Sequence, residues 1–173
     1  MKKLQGFTLI ELLAVMGMFG VIGIVIVSIL FTSLRASRKT DVLVMLKQNG
    51  DTALSQMTNR IRYAKSLDVP LTCFPSVTQS SITITSLFDG GQTTFSCPGG
   101  GMTTPITSNS AVLMDTNSVS VTACSFTCSQ ATVSDAPTVT VKFTLSPKTT
   151  TGFVDSTGVM PFQTAILMRN LNQ

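Results

Sequence analysis

Four cysteines, eight carboxylates and no histidine limit the chemistry that this chain of 173 residues can perform. Without histidine the chain cannot build a Ser-His-Asp or Cys-His catalytic set, nor a histidine-ligated metal centre. The carboxylates are scattered singly, which disfavours a two-carboxylate hydrolase. The glycines at 99–101 precede no helical pattern, so they do not resemble a phosphate-binding loop. We therefore expect no enzymatic activity, no cofactor and no metal site.

The cysteines lie at positions 73, 97, 124 and 128, in a segment that we expect to be exported. An even number of exported cysteines usually forms disulfides, and a four-cysteine zinc site is the alternative, although paired C-x-x-C units are missing. On one straight strand Cys124 and Cys128 would lie about 13 Å apart, too far for a disulfide, so their pairing requires a bend at 125–127. Three pairings remain possible, and we favour Cys73–Cys97 with Cys124–Cys128.

The strongest pattern is a long apolar stretch near the N-terminus, since Ser28 is the only polar side chain from Leu12 to Phe31. At 1.5 Å per residue this stretch extends about 30 Å, the hydrocarbon thickness of a bilayer. It is too long for the hydrophobic part of an ordinary secretory signal. Basic residues follow it and would lie among lipid headgroups: Arg35, Arg38 and Lys39. A plain anchor with such flanks would not favour export of the C-terminal part.

The residues just before this stretch, Gly6-Phe7-Thr8-Leu9-Ile10-Glu11, follow a short basic leader. This string resembles the cleavage and methylation motif of type IV prepilins and pseudopilins. The resemblance implies that a prepilin peptidase cuts after Gly6 and that the new amino terminus on Phe7 is methylated. The apolar helix would then stay on the mature protein.

Glu11 has two compatible interpretations. A charge in hydrocarbon costs about 2.5–3.5 kcal/mol on insertion scales, so it requires a reason. Thr8-x-x-Glu11 fits a capping box, in which the glutamate caps the start of the helix. The family resemblance implies a second role, in which Glu11 attracts the Phe7 amine of a neighbouring subunit and fixes the filament register.

Residues 35–67 predict a helix with one apolar face that packs on a core. Asn49-Gly50-Asp51 interrupts this pattern, and because Asn-Gly is a turn signal we expect a kink or a one-turn break there. The apolar positions are separated by three or four residues: Leu43, Leu46, Gly50, Leu54, Met57, Ile61 and Ala64.

Charge is distributed unevenly along the chain. Residues 35–67 carry seven basic and two acidic side chains, whereas residues 68–173 carry three basic and five acidic ones. This polarity suits contacts between stacked subunits. DNA binding through the basic helix is the alternative, but Tyr63 is the only aromatic that could interleave with the cations.

The C-terminal part, which we call the head (68–173), changes character at Pro70, where helical potential ends. Serine and threonine supply a third of residues 66–173, which favours strands and loops. Residues 81–85 and 93–97 flank Asp89-Gly90-Gly91 and predict a hairpin. Further strands are predicted at 112–114, 119–123, 138–145 and 162–168. An antiparallel sheet covered by the apolar face of the helix is an α+β arrangement, as in the pilin-like fold.

The sequence therefore predicts four segments: a leader (1–6), a transmembrane or filament-core helix (7–34), an amphipathic half (35–67) and a disulfide-containing head (68–173). We expect a minor pilin or pseudopilin of a type IV pilus-like or type II secretion filament. A major pilin is the alternative within this class. An adhesin-like binding protein that is membrane-anchored and never polymerises is the alternative outside it.

The family resemblance also implies partners and a location. The partners are the prepilin peptidase, other pilin or pseudopilin subunits, and an assembly platform protein with its ATPase, because the chain itself holds no energy source. The subunit would cross the inner membrane once before assembly. Afterwards it would lie in a cell-surface or periplasmic filament, and we expect no direct contact with nucleic acid.

Overall fold

A computed structural model describes residues 8–97, 104–132, 134–148 and 158–169. One long helix, α1, runs from Leu9 to Arg62, and the strands follow it in the chain. The chain divides into two compact units, Met1–Thr40 and Asp41–Gln173, and each is considered by itself below.

In the first unit, α1 exposes all of its large apolar side chains. Every large apolar side chain from Leu9 to Leu34 is exposed. Glu11 is the only charged residue in this stretch. The hydroxyls of Ser28 and Thr32 donate to the carbonyls of Val25 (2.8 Å) and Ser28 (2.9 Å). These bonds satisfy the donors within the helix, so neither hydroxyl requires water.

In the second unit, α1 buries the apolar face that its sequence predicts. Leu46, Gly50, Met57 and Ile61 are buried as expected, whereas Leu43 and Leu54 are only partly covered and Ala53 takes a core position. The expected break at Asn49-Gly50-Asp51 is wrong, because α1 continues through all three residues.

The helix also ends earlier than the sequence pattern suggests. It stops at Arg62, and the first strand begins at Ala64, although residues 35–67 were all expected to be helical. Ala64 still belongs to the buried core, but as a strand residue. The period-three and period-four spacing therefore continued across a change of secondary structure.

The strands of the second unit form two antiparallel sheets, where the sequence suggested a single one. Sheet A has the order β1-β3-β4-β5-β6, and sheet B has the order β2-β7-β8-β9. The strands are β1 (Ala64–Val69), β2 (Ser76–Gln79), β3 (Ser81–Ser86), β4 (Gln92–Ser96), β5 (Thr107–Ser108), β6 (Ala111–Val112), β7 (Val119–Ser129), β8 (Thr138–Pro147) and β9 (Met160–Leu167).

The predicted β3–β4 hairpin is confirmed. Ile84 pairs with Thr93, and Gly90 in the connecting turn has a φ of 66°, a left-handed conformation that glycine adopts without cost. The alternation in β8 is confirmed as well, since Val139, Val141, Phe143 and Leu145 are all buried.

The helix lies against both sheets within this unit. Arg60 Nη1 donates to Thr93 Oγ1 of sheet A at 3.5 Å, and Gly50 faces the ring of Phe162 in sheet B. The apolar face of the helix and the inward side chains of both sheets share one core. The α+β fold class, with a long N-terminal helix on antiparallel sheets, is confirmed.

Candidate assembly site

The residues that the sequence singles out for processing lie at the N-terminal end. The cleavage and methylation predictions fall on Gly6 and Phe7, which lie outside the described residues. Glu11 lies within them, in the first turn of α1.

Thr8 caps this first turn. Its carbonyl accepts the backbone N–H groups of Glu11 (3.1 Å) and Leu12 (3.3 Å), and its hydroxyl oxygen lies 3.4 Å from the Glu11 nitrogen. This is one half of the predicted capping box. Among the described residues, no hydrogen bond joins the Glu11 carboxylate to Thr8. The carboxylate is exposed and is available to a group on another molecule.

The segment around Glu11 is long and apolar enough to cross a membrane. None of the side chains in its most hydrophobic part is buried. The cations that follow the span, Arg35, Arg38 and Lys39, are exposed, and no ion pair joins them to any described residue. Within the first unit the chain thus offers an apolar cylinder with one carboxylate near its start and a basic cluster at its end.

The second unit is tied together by two disulfides. Cys73 bonds to Cys128 and Cys97 bonds to Cys124, with Cα atoms 5.2 and 5.7 Å apart. The pairing that we favoured from the sequence is wrong. Strand β7 runs without interruption from Val119 to Ser129, so the bend that Cys124–Cys128 required does not form.

The disulfides also explain why both cysteines of β7 are needed. Cys97 follows β4 of sheet A, so its bond to β7 joins the two sheets. Cys73 lies between β1 and β2, so its bond fixes the connection that leaves sheet A and enters sheet B. All four thiols are used, which leaves no thiolate for the zinc alternative.

The charges of the second unit form few internal pairs. Lys47 and Asp51 lie 3.7 Å apart and both are largely exposed, which is the one ion pair among the described residues. Such a surface pair is worth little, about 0.3–0.5 kcal/mol. Apart from this pair and the hydrogen bond from Arg60 to Thr93, no ion pair is found for the cations of this half of the helix among the described residues.

Two carboxylates of the head hold turns. Hydrogen bonds from the Ser86 side chain and the Gly91 N–H lower the pKa of Asp89 below its ordinary value. The Ser118 hydroxyl and the Asn117 N–H (3.0 Å) lower the pKa of Asp115 in the same way. Both carboxylates therefore cap exposed turns.

Asn49 and Gly50 were expected to interrupt the helix, but both make long-range contacts within it. The Asn49 amide donates to the Met45 carbonyl (3.0 Å) and accepts the backbone N–H of Asp115 (2.9 Å). Asn49 therefore anchors the segment that follows β6, and Gly50 makes room for an aromatic ring. Their long-range partners lie far along the chain, so no local pattern reveals them.

No family model, characterised protein or solved structure matches this chain.

Proposed function

We propose that the chain is a structural subunit, a minor pilin or pseudopilin, of a type IV pilus-like or type II secretion filament. One observation carries the proposal: from Leu9 to Leu34 the helix exposes its apolar side chains and carries one charge, Glu11, in its first turn. At roughly 25 cal/mol per Å² such a surface is strongly unfavourable in water. Lipid or the helices of other subunits must cover it.

In a filament subunit, lipid surrounds the apolar helix before assembly, and the helices of other subunits surround it afterwards. Lipid tails are about as apolar as leucine, so exchanging lipid contacts for helix contacts changes the hydrophobic free energy little. The polar group in the segment then decides where the helix stops. A subunit in the wrong axial position leaves the Glu11 carboxylate unpaired in an apolar surrounding, at about 2.5–3.5 kcal/mol on insertion scales.

The partner of Glu11 is the amino terminus that cleavage creates. After the prepilin peptidase cuts behind Gly6, the amine of Phe7 on a neighbouring subunit is positively charged and pairs with Glu11. The platform protein and its ATPase supply the work of extraction. The two disulfides of the head are consistent with an oxidising compartment outside the cytoplasm.

The test compares two charge-neutralising variants of the full chain in its native cell. Glu11→Gln should still be cleaved and methylated but should fall at least tenfold in sheared filaments, because the register pair is lost. Asp41→Asn, on an exposed position of the same helix, is the matched control and should assemble normally. Mass spectrometry of the peptide that begins at methylated Phe7 measures both fractions.

The same measurement can contradict the proposal. If only chains that begin at Met1 are found, and only in membranes, the protein is an anchored binding protein. A bulky residue at position 6 should block processing of a filament subunit and leave a plain anchor unaffected. A methylated peptide as abundant as the main filament subunit would instead identify a major pilin.

A further inference from the structure

The two sheets of the head differ in how their edges run. Sheet A has five antiparallel strands, so its edges β1 and β6 point the same way. Sheet B has four, so its edges β2 and β9 point in opposite directions. A second copy placed beside the first in the same orientation therefore presents β2 to β9 as an antiparallel neighbour. Sheet A cannot be continued in this way.

The edges also differ in protection. Exposed edges are usually blunted by charges, bulges or short length, because their free backbone groups recruit other strands. Strand β1 carries Lys65, Asp68 and two register shifts, and β6 has only two residues. Strand β9 has eight residues, no charge and an unbroken register with β8. Strand β2 is short but also uncharged.

The direction of the free backbone groups of β9 follows from one hydrogen bond. The Met168 N–H donates to the Pro137 carbonyl at 3.2 Å, on the side of β8. Inward and outward groups alternate along an antiparallel strand. The N–H and C=O groups of Gln163, Ala165 and Leu167 therefore point away from β8, towards the edge of sheet B that no other described strand covers.

The same reasoning applies to β2. The Gln130 N–H donates to the Pro75 carbonyl at 3.4 Å, on the side of β7. The backbone groups of Ser76 and Thr78 consequently point to the other edge of sheet B. The side chains of Ser76 and Thr78 are exposed, as are those of Gln163 and Ala165.

The two ends of the β9 edge limit the possible register. At the C-terminal end, the Arg169 N–H donates to the Arg62 carbonyl at 3.4 Å, so that position is already occupied. At the other end, Pro161 has no N–H to donate. An incoming strand therefore has the stretch from Gln163 to Leu167.

The register that we favour starts the pairing directly after Pro161. With Thr78 of the next copy opposite Gln163, and Ser76 opposite Ala165, both pairs exchange two hydrogen bonds. Strand β2 begins at Ser76, so the strand pairing ends there and does not extend to Leu167.

At the N-terminal end of β9, the pairing with β2 would stop at Pro161. The next position sets Ser80 against Pro161, and the Ser80 carbonyl already accepts the Cys97 N–H at 2.7 Å.

We propose that β9 of one copy pairs with β2 of the next, so that neighbouring heads form one continuous antiparallel sheet. This inference rests on the proposed function, because four hydrogen bonds are too few to join copies that are not already held together. The contact is heterologous and does not close on itself, so it repeats. It requires two or more copies of this chain to be adjacent in the filament.

The test is disulfide cross-linking of the full chain in its native cell. Directly opposite residues lie about 5.5 Å apart between Cα atoms, within the range for a disulfide. A Thr78→Cys/Gln163→Cys double variant, under mild oxidation, should give a ladder of dimers, trimers and higher species. Thr78→Cys/Ala165→Cys samples the neighbouring register.

The controls use the same chemistry elsewhere. Each single-cysteine variant should remain monomeric, since its partner strand lacks a thiol. Lys65→Cys/Val112→Cys, on the two edges of sheet A, should give no ladder. All native cysteines are already in disulfides, so the introduced thiols are the reactive ones.

Reading the ladder in membranes and in sheared filaments separates the two proposals. Filaments that contain the chain but yield no ladder from either double variant would overturn the edge pairing and leave the proposed function intact. A ladder in membranes, without any filament, would overturn the proposed function and leave the edge pairing intact. A dimer from Gln163→Cys or Ala165→Cys alone would indicate two-fold β9–β9 pairing and would also overturn the inference. The absence of a ladder from both membranes and sheared filaments would overturn the inference too.

Discussion

Gly50 of α1 and Phe162 of β9 are so close that a Cβ atom at position 50 would lie 2.1 Å from the Cζ atom of the ring. The ring cannot retreat easily, because it stacks on Phe143 with 5.2 Å between centroids and an interplanar angle of 18°. The helix therefore accepts a glycine in its interior, which costs about 1 kcal/mol relative to alanine. This contact sets how closely the helix approaches sheet B.

Gly50→Ala should destabilise the second unit, although alanine has a better helix propensity than glycine. Overpacking typically costs about 1–3 kcal/mol, and because the added Cβ would lie only 2.1 Å from the ring we expect the upper part of this range, above the roughly 1 kcal/mol gained in helix propensity. Urea denaturation of the detergent-solubilised chain measures the difference. Adding Phe162→Leu should recover part of the loss, because the two residues are in contact. Equal effects of Gly50→Ala in the presence and absence of Phe162 would contradict this account.

The disulfide pairing can be checked by cleavage before aspartates after denaturation. Cuts at Asp68, Asp89, Asp115 and Asp135 give three cysteine-containing peptides. The observed pairing joins all three, whereas Cys73–Cys97 with Cys124–Cys128 would leave residues 115–134 separate. A further cut after Phe126 should yield two distinct linked pairs, one for each disulfide.

Removing the two disulfides should cost different amounts. Their sequence separations are 55 residues for Cys73–Cys128 and 27 for Cys97–Cys124. Chain entropy gives losses of about 4.2 and about 3.5 kcal/mol for the corresponding double alanine variants. Urea midpoints under non-reducing conditions measure both. A larger loss for the shorter loop would indicate that joining the two sheets matters more than loop entropy.

Much of this fold could be predicted because its periodic elements are local. The apolar stretch, the alternation of residues 138–145 and the glycine turn at Gly90 each depend on neighbours within a few positions. The same holds for the buried positions Leu46, Met57 and Ile61, which follow the helical repeat. These features were confirmed at residue level.

The rest depends on contacts between distant segments. Asn49-Gly50 signals a turn when taken alone, but Asp115 and Phe162 supply partners that keep the helix intact. The disulfide pairing depends on β7 staying straight, and β8 keeps it so through a ladder that includes Phe126 and Val141. Neither the partners of Asn49-Gly50 nor the straightness of β7 can be inferred from neighbouring residues. The division into two sheets likewise follows from pairing and not from propensity.

Acid should weaken the head through two of its turn carboxylates, Asp89 and Asp115. The pKa values of Asp89 and Asp115 are lower in the fold than in the unfolded chain. Such a group stabilises the fold while it is ionised. This contribution is complete above the unfolded pKa of about 3.9 and is lost as the pH falls through the lower folded pKa.

Asp115→Asn and Asp89→Asn should each flatten this loss of stability below about pH 4 and lower stability at pH 7. Urea midpoints between pH 2.5 and pH 7 measure the slope. Asp41→Asn is the control, because no side-chain hydrogen bond joins Asp41 to another described residue. An acid slope that is the same in all variants would show that these turns do not contribute to it.

Neighbouring proline substitutions test which backbone groups of β9 face the free edge. The Ala165 N–H points outwards, so Ala165→Pro removes no hydrogen bond within the head, much as Pro161 is tolerated at an outward position. The Thr164 N–H points to Val141 on β8, and Thr164→Pro should cost about 1–3 kcal/mol by leaving a carbonyl unsatisfied. Urea denaturation of the full chain compares the two. If Ala165→Pro were the more destabilising change, the outward groups would be those of the even-numbered residues, and the register proposed for the pairing of β9 with β2 would be wrong.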